Sequence, residues 1–311
     1  MQLYLPIAEL PVNMLLILGM GLAVGFISGM FGVGGGFLLT PLLIFIGIPP
    51  AIAVASVSGQ IAASSLSGTL SYWRKNAVDA KLVSVLLLGS IIGSAAGVAV
   101  FALLRREGQL DLFIALSYVT LLGGIGLLMV IESSRAIARA RSSAEPPKLY
   151  AARDRRIASS LPFAIHFPRS RITISAIPVV AIGLGIGFLG SMMGIGGGFL
   201  LVPALIYLLR VSTTVVIGTS SLQTLITMLM TVVFHAISNH SVDVVLALLL
   251  MIGGVVGAQF GARASMAMKG EELRLLLGLV VLAVGIRFFV DLVIRPEDPF
   301  SNTIVEWVAR T

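Results

Sequence analysis

The residues best suited to chemistry in this chain are glycines and neutral hydrogen-bond donors, and they occur twice. The segment GVGGGFLLTP at residues 32–41 returns as GIGGGFLLVP at residues 194–203, 162 residues later. Between residues 21–43 and 183–205, 14 of 23 positions are identical. The chain therefore contains an internal duplication. The segment most similar between the two copies is the glycine-rich one, whose composition disfavours a continuous helix.

The chemistry of the glycine-rich segment concerns the backbone. Each glycine inside a helix costs about 1 kcal/mol relative to alanine, so four glycines in five residues predict a break in the chain. Freed N–H groups and the N-terminus of the next helix would suit an anion. The alternative is close helix packing, which small residues permit. The candidate residues are Gly34, Gly35, Gly36, Gly196, Gly197 and Gly198.

A hydroxyl-and-amide element follows each glycine-rich segment about 15 residues later. Its members are Ser56, Ser58 and Gln60 in the first copy and Thr219, Ser221 and Gln223 in the second. A buried glutamine is costly unless it is hydrogen-bonded, and its NH₂ and the hydroxyls can donate to an oxyanion without carrying charge. The alternative is hydrogen bonding between helices, typically about 0.6 kcal/mol per bond in membranes. Duplication favours a ligand, because transporter sites use equivalent positions of two repeats.

Composition places these elements in a membrane. Hydrophobic residues make up 57% of the 311, and charged residues 11%, against about 25% charged in soluble domains. Apolar runs long enough to cross a bilayer recur, and they lack the alternation of barrel strands, so the spans are predicted to be helices. The first apolar segment has no cleavage site after it, and we expect it to remain as a helix.

Five helical segments are predicted in each half of the chain, near 12–31, 35–48, 50–72, 81–104, 111–131, 175–192, 197–209, 212–234, 243–262 and 272–292. Two copies with an odd number of crossings insert in opposite orientations, so inverted-topology repeats are predicted. The short first two segments of each half flank the glycines, and a broken or re-entrant pair is the alternative to two full crossings. The fold class is an all-α polytopic membrane protein.

Charge sets the expected orientation. Residues 133–171 carry nine Lys/Arg against two acidic residues, a balance of +7, and the rest of the chain is neutral. By the positive-inside rule this loop is cytoplasmic, where it would meet anionic lipid. Nucleic-acid binding is disfavoured because no aromatic residues alternate with the arginines. The expected units are a first repeat at 1–132, a basic loop at 133–174, a second repeat at 175–295 and a tail at 296–311.

Other patterns favour structural roles. The ladders Gly89-x₃-Gly93-x₃-Gly97 and Gly253-x₃-Gly257-x₃-Gly261 predict packing seams. Asp79 and Asp243 open the fourth segments and read as N-caps. Arg287 and Asp291 are spaced for a local ion pair. A metal at His235 and Asn239 is not expected, since no carboxylate or cysteine joins them. With no cysteine and no nucleophile-turn motif, neither an enzyme nor a cofactor is expected.

These motifs together resemble the TauE/SafE family of bacterial sulfite exporters. The resemblance rests on G-[VI]-G-G-G-F-L-L-x-P, on the hydroxyl-rich element and on the glycine-ladder helix opening with Val-Asp, and it covers residues 20–131 and 180–292. It implies a transporter of small sulfur-containing anions in the inner membrane, with the twelve candidate residues above as the binding site. The first half has Ala55-Ser56-Val57 where the second has Gly218-Thr219-Ser220, so the half-sites are expected to contribute unequally.

No charged residue lies in the middle of a predicted segment. A neutral, donor-lined site suits an anion, and the membrane potential, about 2.3 kcal/mol per charge at 100 mV, is enough to drive its export. The alternative is ion-coupled import of a sulfonate or thiosulfate-like anion, with Asp79, Asp243 or His235 as titrating groups. A third hypothesis is that the chain is a membrane scaffold whose basic loop binds a partner. The oligomeric state is left open.

Overall fold

Ten helices and two β-hairpins form the structure, a computed structural model that describes residues 2–31, 34–74, 76–141, 164–170, 172–205, 209, 211, 213–265 and 270–294. The helices of the first half are α1 (Met14–Phe31), α2 (Gly36–Phe45), α3 (Pro50–Arg74), α4 (Ala80–Arg106) and α5 (Leu110–Arg141). Those of the second are α6 (Ala176–Met193), α7 (Gly197–Pro203), α8 (Thr213–Ser238), α9 (Val244–Ser265) and α10 (Gly270–Ile294). All ten predicted segments are confirmed as helices, and the all-α polytopic fold class with them.

The predicted basic loop needs correction at both ends. Helix α5 continues to Arg141, ten residues past the predicted end of its segment, because Ala, Ile and Arg of this stretch are compatible with a helix. At the other end, residues 164–175 form a hairpin. The middle of the loop, residues 142–163, and the tail lie outside the described residues.

The two hairpins were not predicted, and each precedes the first helix of its half. Strands β1 (Gln2–Leu5) and β2 (Leu10–Asn13) pair antiparallel, with Gln2 opposite Asn13. Strands β3 (Ala164–Phe167) and β4 (Ile172–Ser175) pair in the same way, with Ala164 opposite Ser175. The repeated unit is therefore a hairpin followed by five helices.

The glycine ladders form the closest helix contacts, as predicted. The glycines of α4 lie against Val180, Leu184 and Phe188 of α6, and those of α9 lie against Leu18, Leu22 and Phe26 of α1. Residue numbers rise together along both contacts, so each pair packs parallel. Backbone atoms occupy the space where a Cβ would stand, and only glycine permits this approach.

Contacts between the halves occur in equivalent pairs. Helix α1 packs on α9 as α6 packs on α4, α3 packs on α8, and α5 packs on α10. Gly68 lies near Ser221 and Gly218 lies near Tyr72, so α3 and α8 run antiparallel. A reciprocal arrangement of this kind is what a twofold relation between two copies gives. The inverted orientation of the repeats in a membrane stays a prediction, which the antiparallel packing supports.

Seven of the helices within the described residues are long and apolar enough to cross a membrane: α3, α4, α5, α6, α8, α9 and α10. Helix α1 is a shorter apolar helix. Helices α2 and α7 have 10 and 7 residues, about 15 and 10 Å at 1.5 Å per residue. Over the described residues neither reaches across a hydrocarbon core of about 30 Å, and each follows a break.

Candidate functional site

The glycine-rich segments are breaks between helices, as predicted. Gly34 has φ +81° and Gly196 has φ +77°, a left-handed conformation that glycine adopts without strain. Helix α2 then begins at Gly36 and α7 at Gly197. The break places the start of a short helix inside the protein in both halves.

The two breaks lie against each other. The Thr40 hydroxyl donates to the Gly194 carbonyl across 3.1 Å, and the rings of Phe37 and Phe199 stack with centroids 4.6 Å apart. A methyl group at Gly36 would lie 2.6 Å from the Gly194 carbonyl oxygen, so close packing also operates at this position. Ile61 borders glycines of both segments.

The glutamines of both halves are fully buried. Gln223 Oε1 lies beside Gly197 at the junction, whereas the Gln60 amide lies beside Gly254 of α9, one residue before Ile61. Neither Nε2 nor Oε1 of Gln60 has a hydrogen-bond partner among the described residues, and Oε1 of Gln223 has none either. Nε2 of Gln223 donates to the Thr227 hydroxyl across 3.0 Å. Buried polar atoms are nearly always paired in native proteins, and either a water molecule or a bound group can supply the partner.

Antiparallel packing puts both glutamines near the middle of the helix pair. Gly59 of α3 borders Val232 of α8, and Gly218 of α8 borders Tyr72 of α3. By this register the two glutamines are offset by about seven residues, or roughly 10 Å along the helices. Each is then about 5 Å from the centre of the contact.

The hydroxyls at Ser56 and Thr219 contact the opposite half. Ser56 Oγ accepts a hydrogen bond from the Asp243 backbone N–H at 3.0 Å, and Thr219 Oγ1 accepts from the Asp79 N–H at 3.2 Å. Both hydroxyls are buried. They hold the starts of α9 and α4, and each keeps its own proton to donate.

Both aspartates are N-caps, as predicted, and each also holds a hairpin. Asp79 Oδ1 accepts from the Leu82 N–H, and its Oδ2 accepts from both the backbone N–H and the hydroxyl of Ser170, at 2.9 and 2.8 Å. Asp243 accepts from the N–H groups of Leu246 and Ile7, each at 3.0 Å. These bonds occupy both oxygens of both carboxylates, so their role is structural.

The remaining candidate hydroxyls bond within their own helices. Ser58 donates to the Val54 carbonyl at 2.9 Å, and Ser221 donates to the Ile217 carbonyl at 2.8 Å. Such bonds satisfy the donor and leave the oxygen as an acceptor only. Within the arrangement described, these two serines are the candidates least suited to donating to an anion.

Thr224 was missed by the sequence analysis. Its buried hydroxyl has no hydrogen-bond partner among the described residues, and it lies beside Gly197, as does Gln223 Oε1. The signal was available: Thr224 occupies the position equivalent to Ile61, so the duplicated element reads Gln-Ile in one half and Gln-Thr in the other. The two halves therefore differ at a residue outside the predicted set.

Two pockets open at opposite ends of α3 and α4. One, of about 330 Å³, is lined by Trp73, Asp79 and Arg169 among others; the other, of about 340 Å³, is lined by Pro50, Glu9 and Arg105 among others. The ends of α3 are about 36 Å apart. The junction of the glycine-rich segments lies between the two pockets, as a central transport site requires.

Two further expectations concern ions. Among the described residues no group of three His, Asp or Glu side chains is placed to hold a metal. Arg287 and Asp291 form the predicted ion pair at 3.4 Å, and it is partly exposed on the last turns of α10. Neither feature lies at the glycine junction.

Comparison with known proteins decides the family. Residues 17–288 match the family described as sulfite exporter TauE/SafE. The chain belongs to the TauE/SafE family. This family consists of membrane transporters, and the chain is accordingly a multi-pass membrane protein with a transport role.

Relatives of this TauE/SafE chain occur in bacteria and plants. The probable membrane transporter protein YjnA of Bacillus subtilis is 28% identical over 271 residues, which cover 86% of this chain and 96% of the relative. A probable membrane transporter protein of Xylella fastidiosa is 29% identical over 284 residues, 88% and 94% of the two chains. Sulfite exporter TauE/SafE family protein 1 of Arabidopsis thaliana is 33% identical over 88 residues, 28% and 20% of the two. No solved structure matches.

Proposed function

We propose that this TauE/SafE protein exports a small sulfur-containing oxyanion, sulfite or an organosulfonate, by alternating access. One observation carries the proposal: the buried amides of Gln60 and Gln223, one from each half, have unpaired polar atoms on α3 and α8, the two long helices that border the helix breaks. An amide N–H and the Thr224 hydroxyl supply donors without charge. An oxyanion accepts such bonds when the NH₂ groups of the amides, rather than their oxygens, face it.

The two amides can both face an anion as donors. The oxygen and nitrogen of a side-chain amide are interchangeable by a rotation of 180°. With Gln223 rotated, its Oε1 accepts from the Thr227 hydroxyl and its NH₂ points toward Gly197 and Thr224. The anion itself then selects this arrangement, because binding pairs donors that are otherwise unsatisfied.

Export follows from the sign of the membrane potential. We place the protein in the bacterial cytoplasmic membrane with residues 133–174 inside, where the basic loop meets anionic lipid. With the interior negative, an elementary negative charge gains about 2.3 kcal/mol per 100 mV on leaving. For one charge this supports roughly a 50-fold gradient. We infer that the protein is a carrier rather than an enzyme.

Inverted repeats would supply the movement. Antiparallel packing of α3 on α8 and of α5 on α10 puts the twofold axis perpendicular to these helices. If the helices cross a membrane, the axis lies in the membrane plane, and exchanging the conformations of the two halves turns an inward-open state into an outward-open one. The glycine junction stays at the centre of this exchange.

The alternative is ion-coupled import of a sulfonate or thiosulfate-like anion. This alternative needs a titrating group, and the candidates are Asp79, Asp243 and His235. The carboxylates of Asp79 and Asp243 cap helices. His235 is fully buried in α8, and this buried titratable side chain is the observation that supports the alternative. An inward proton gradient that accelerates uptake would favour it.

Anion binding to the purified protein tests the proposal. Titration calorimetry in detergent would compare sulfite, methanesulfonate and thiosulfate, with chloride as the reference anion. We expect saturable binding of at least one sulfur oxyanion, and its loss in Gln223→Leu. Exposed Gln109→Leu is the matched control. Binding of none of the three, or equal binding by the Gln223 variant, would refute the site.

A further inference from the structure

A row of polar residues follows one face of α8 at a spacing of four residues. It consists of Gln223, Thr227, Thr231, His235 and Asn239, and every member is at most 9% exposed. The equivalent positions of α3 are Gln60, Ser64, Gly68, Tyr72 and Asn76. The fold therefore does not require the row, because α3 occupies the same place in the other half with a glycine and a tyrosine in it.

Helix α4 supplies a hydroxyl partner to two members of the row. Thr227 Oγ1 and Ser90 Oγ are 3.0 Å apart. Thr231 Oγ1 lies 3.4 Å from Ser94 Oγ and also donates to the Thr227 carbonyl at 2.9 Å. At the two equivalent positions α9 has a glycine and an alanine. Successive pairs are one helical turn, about 6 Å, apart, a distance that one hydrogen-bonded water molecule spans.

His235 is the titratable member of the row, and its two nitrogens have different partners. Nε2 donates to the Ser191 carbonyl at 3.0 Å, since a carbonyl only accepts, and Nδ1 accepts from the Asn239 amide at 3.0 Å. Rotating that amide by 180° brings its oxygen to Nδ1, which can then carry a second proton. The site thus accommodates the neutral and the charged imidazole without losing a hydrogen bond.

One end of the row reaches a surface pocket. Arg105 Nη1 donates to the Asn239 carbonyl at 2.9 Å, and Arg105 lines the pocket of about 340 Å³ together with Glu9 and Asp111. The other ionisable groups on neighbouring elements are Tyr118 of α5, whose hydroxyl donates to the Met193 carbonyl, and Asp243 at the start of α9. Asn239, the partner of His235 Nδ1, therefore lies directly against a residue that lines the pocket.

We propose that His235 is a proton-binding site and that its proton travels with the anion. This rests on the proposed function and specifies its coupling. His235 lies twelve residues, or about 18 Å, from Gln223 along α8. At an effective dielectric constant near 20, an imidazolium at that distance tightens anion binding about fivefold. Linkage is reciprocal, so the anion raises proton affinity by the same factor.

Coupled movement is compatible with export. A divalent anion that travels with one proton still carries one net negative charge outward, and an interior-negative potential drives it. A monovalent anion with one proton is electroneutral, and its flux then follows the anion and pH gradients.

The test is the number of protons moved per anion in proteoliposomes. Methanesulfonate, which binds no proton near neutral pH, or sulfite at alkaline pH would be loaded inside with a pH-sensitive dye, and both fluxes would be followed under an imposed potential. We expect about one proton per anion for the wild type, and a ratio near zero for His235→Gln. His166→Gln and His240→Asn, at exposed positions, should keep the wild-type ratio. A wild type without proton movement, or a His235→Gln variant with the wild-type ratio, would overturn the proposal.

A second measurement separates this proposal from the proposed function and does not depend on the variant folding. The chain has only three histidines, so ¹⁵N-histidine spectra are assigned with His166→Gln and His240→Asn. We expect sulfite to increase the protonated fraction of His235 at a fixed pH near its midpoint. If no variant carries either anion, the proposed function fails. A ring that stays neutral down to pH 4.5, with or without anion, overturns the proton site.

Discussion

Replacing Gln60 with leucine should separate stability from function. Two unpaired polar atoms of this side chain are fully buried. An unsatisfied buried polar group costs about 1–3 kcal/mol, whereas an apolar group of similar shape avoids this cost. We therefore expect Gln60→Leu to stabilise the anion-free protein by about 1–2 kcal/mol and to weaken anion binding at least tenfold.

Gln223→Leu provides the comparison within the same protein. Its Nε2 donates to Thr227, so the substitution removes a net contribution of about 0.5–1.5 kcal/mol while relieving one unpaired oxygen. The stability change should be close to zero. The difference between the two variants follows from the different environments of equivalent residues.

Thermal unfolding in detergent, with and without sulfite, is the assay for both variants. The wild type should gain stability when sulfite is added, and Gln60→Leu should start higher and gain little. If Gln60→Leu is less stable than wild type by 1 kcal/mol or more, Gln60 has partners that this account does not give it. If the variant still binds sulfite normally, the side chain is no part of the site.

Three further predictions concern the frame around the site. Gly257→Ala places a methyl group against backbone atoms of Leu22 and Phe26, so the yield of folded protein should fall severalfold. Gly19→Ala, whose methyl group meets nothing within 4 Å, should leave the yield unchanged. The yield of both variants is measured by size-exclusion chromatography. Asp79→Ala removes the acceptors of three donors and should lower the free energy of unfolding by about 3 kcal/mol, measured by thermal unfolding. A loss under about 1 kcal/mol would contradict the structural role of this carboxylate. Arg287→Ala breaks a partly exposed ion pair and should change stability by less than about 0.5 kcal/mol.

Local sequence patterns predicted most of the helices, their caps and their packing contacts. The ten helices follow from apolar runs separated by Gly, Pro and charged residues, and the aspartate caps follow from residue type at a helix start. The glycine ladders predicted seams because a repeat every four residues places all members on one helix face. Each of these features depends on interactions within a few residues of the chain.

The parts that were missed depend on contacts across the two halves. Nothing near Ser56 in the sequence indicates that its hydroxyl accepts from the backbone of Asp243, 187 residues away. Duplication does not indicate Thr224, because its equivalent, Ile61, is apolar. The hairpins were not predicted because a four-residue strand contains too few alternating apolar and polar residues to be recognised in an apolar chain.

The central claim is that a neutral site at the glycine junction carries a sulfur oxyanion outward along the membrane potential. Sulfite efflux from proteoliposomes under a potassium-diffusion potential measures this directly at alkaline pH, where sulfite is divalent and stays negatively charged even with one accompanying proton. The account predicts saturable efflux that accelerates when the interior is negative, and its loss in Gln60→Ala and Gln223→Ala proteins that remain folded. Efflux that is indifferent to the potential, or equal in the folded glutamine variants, would contradict it.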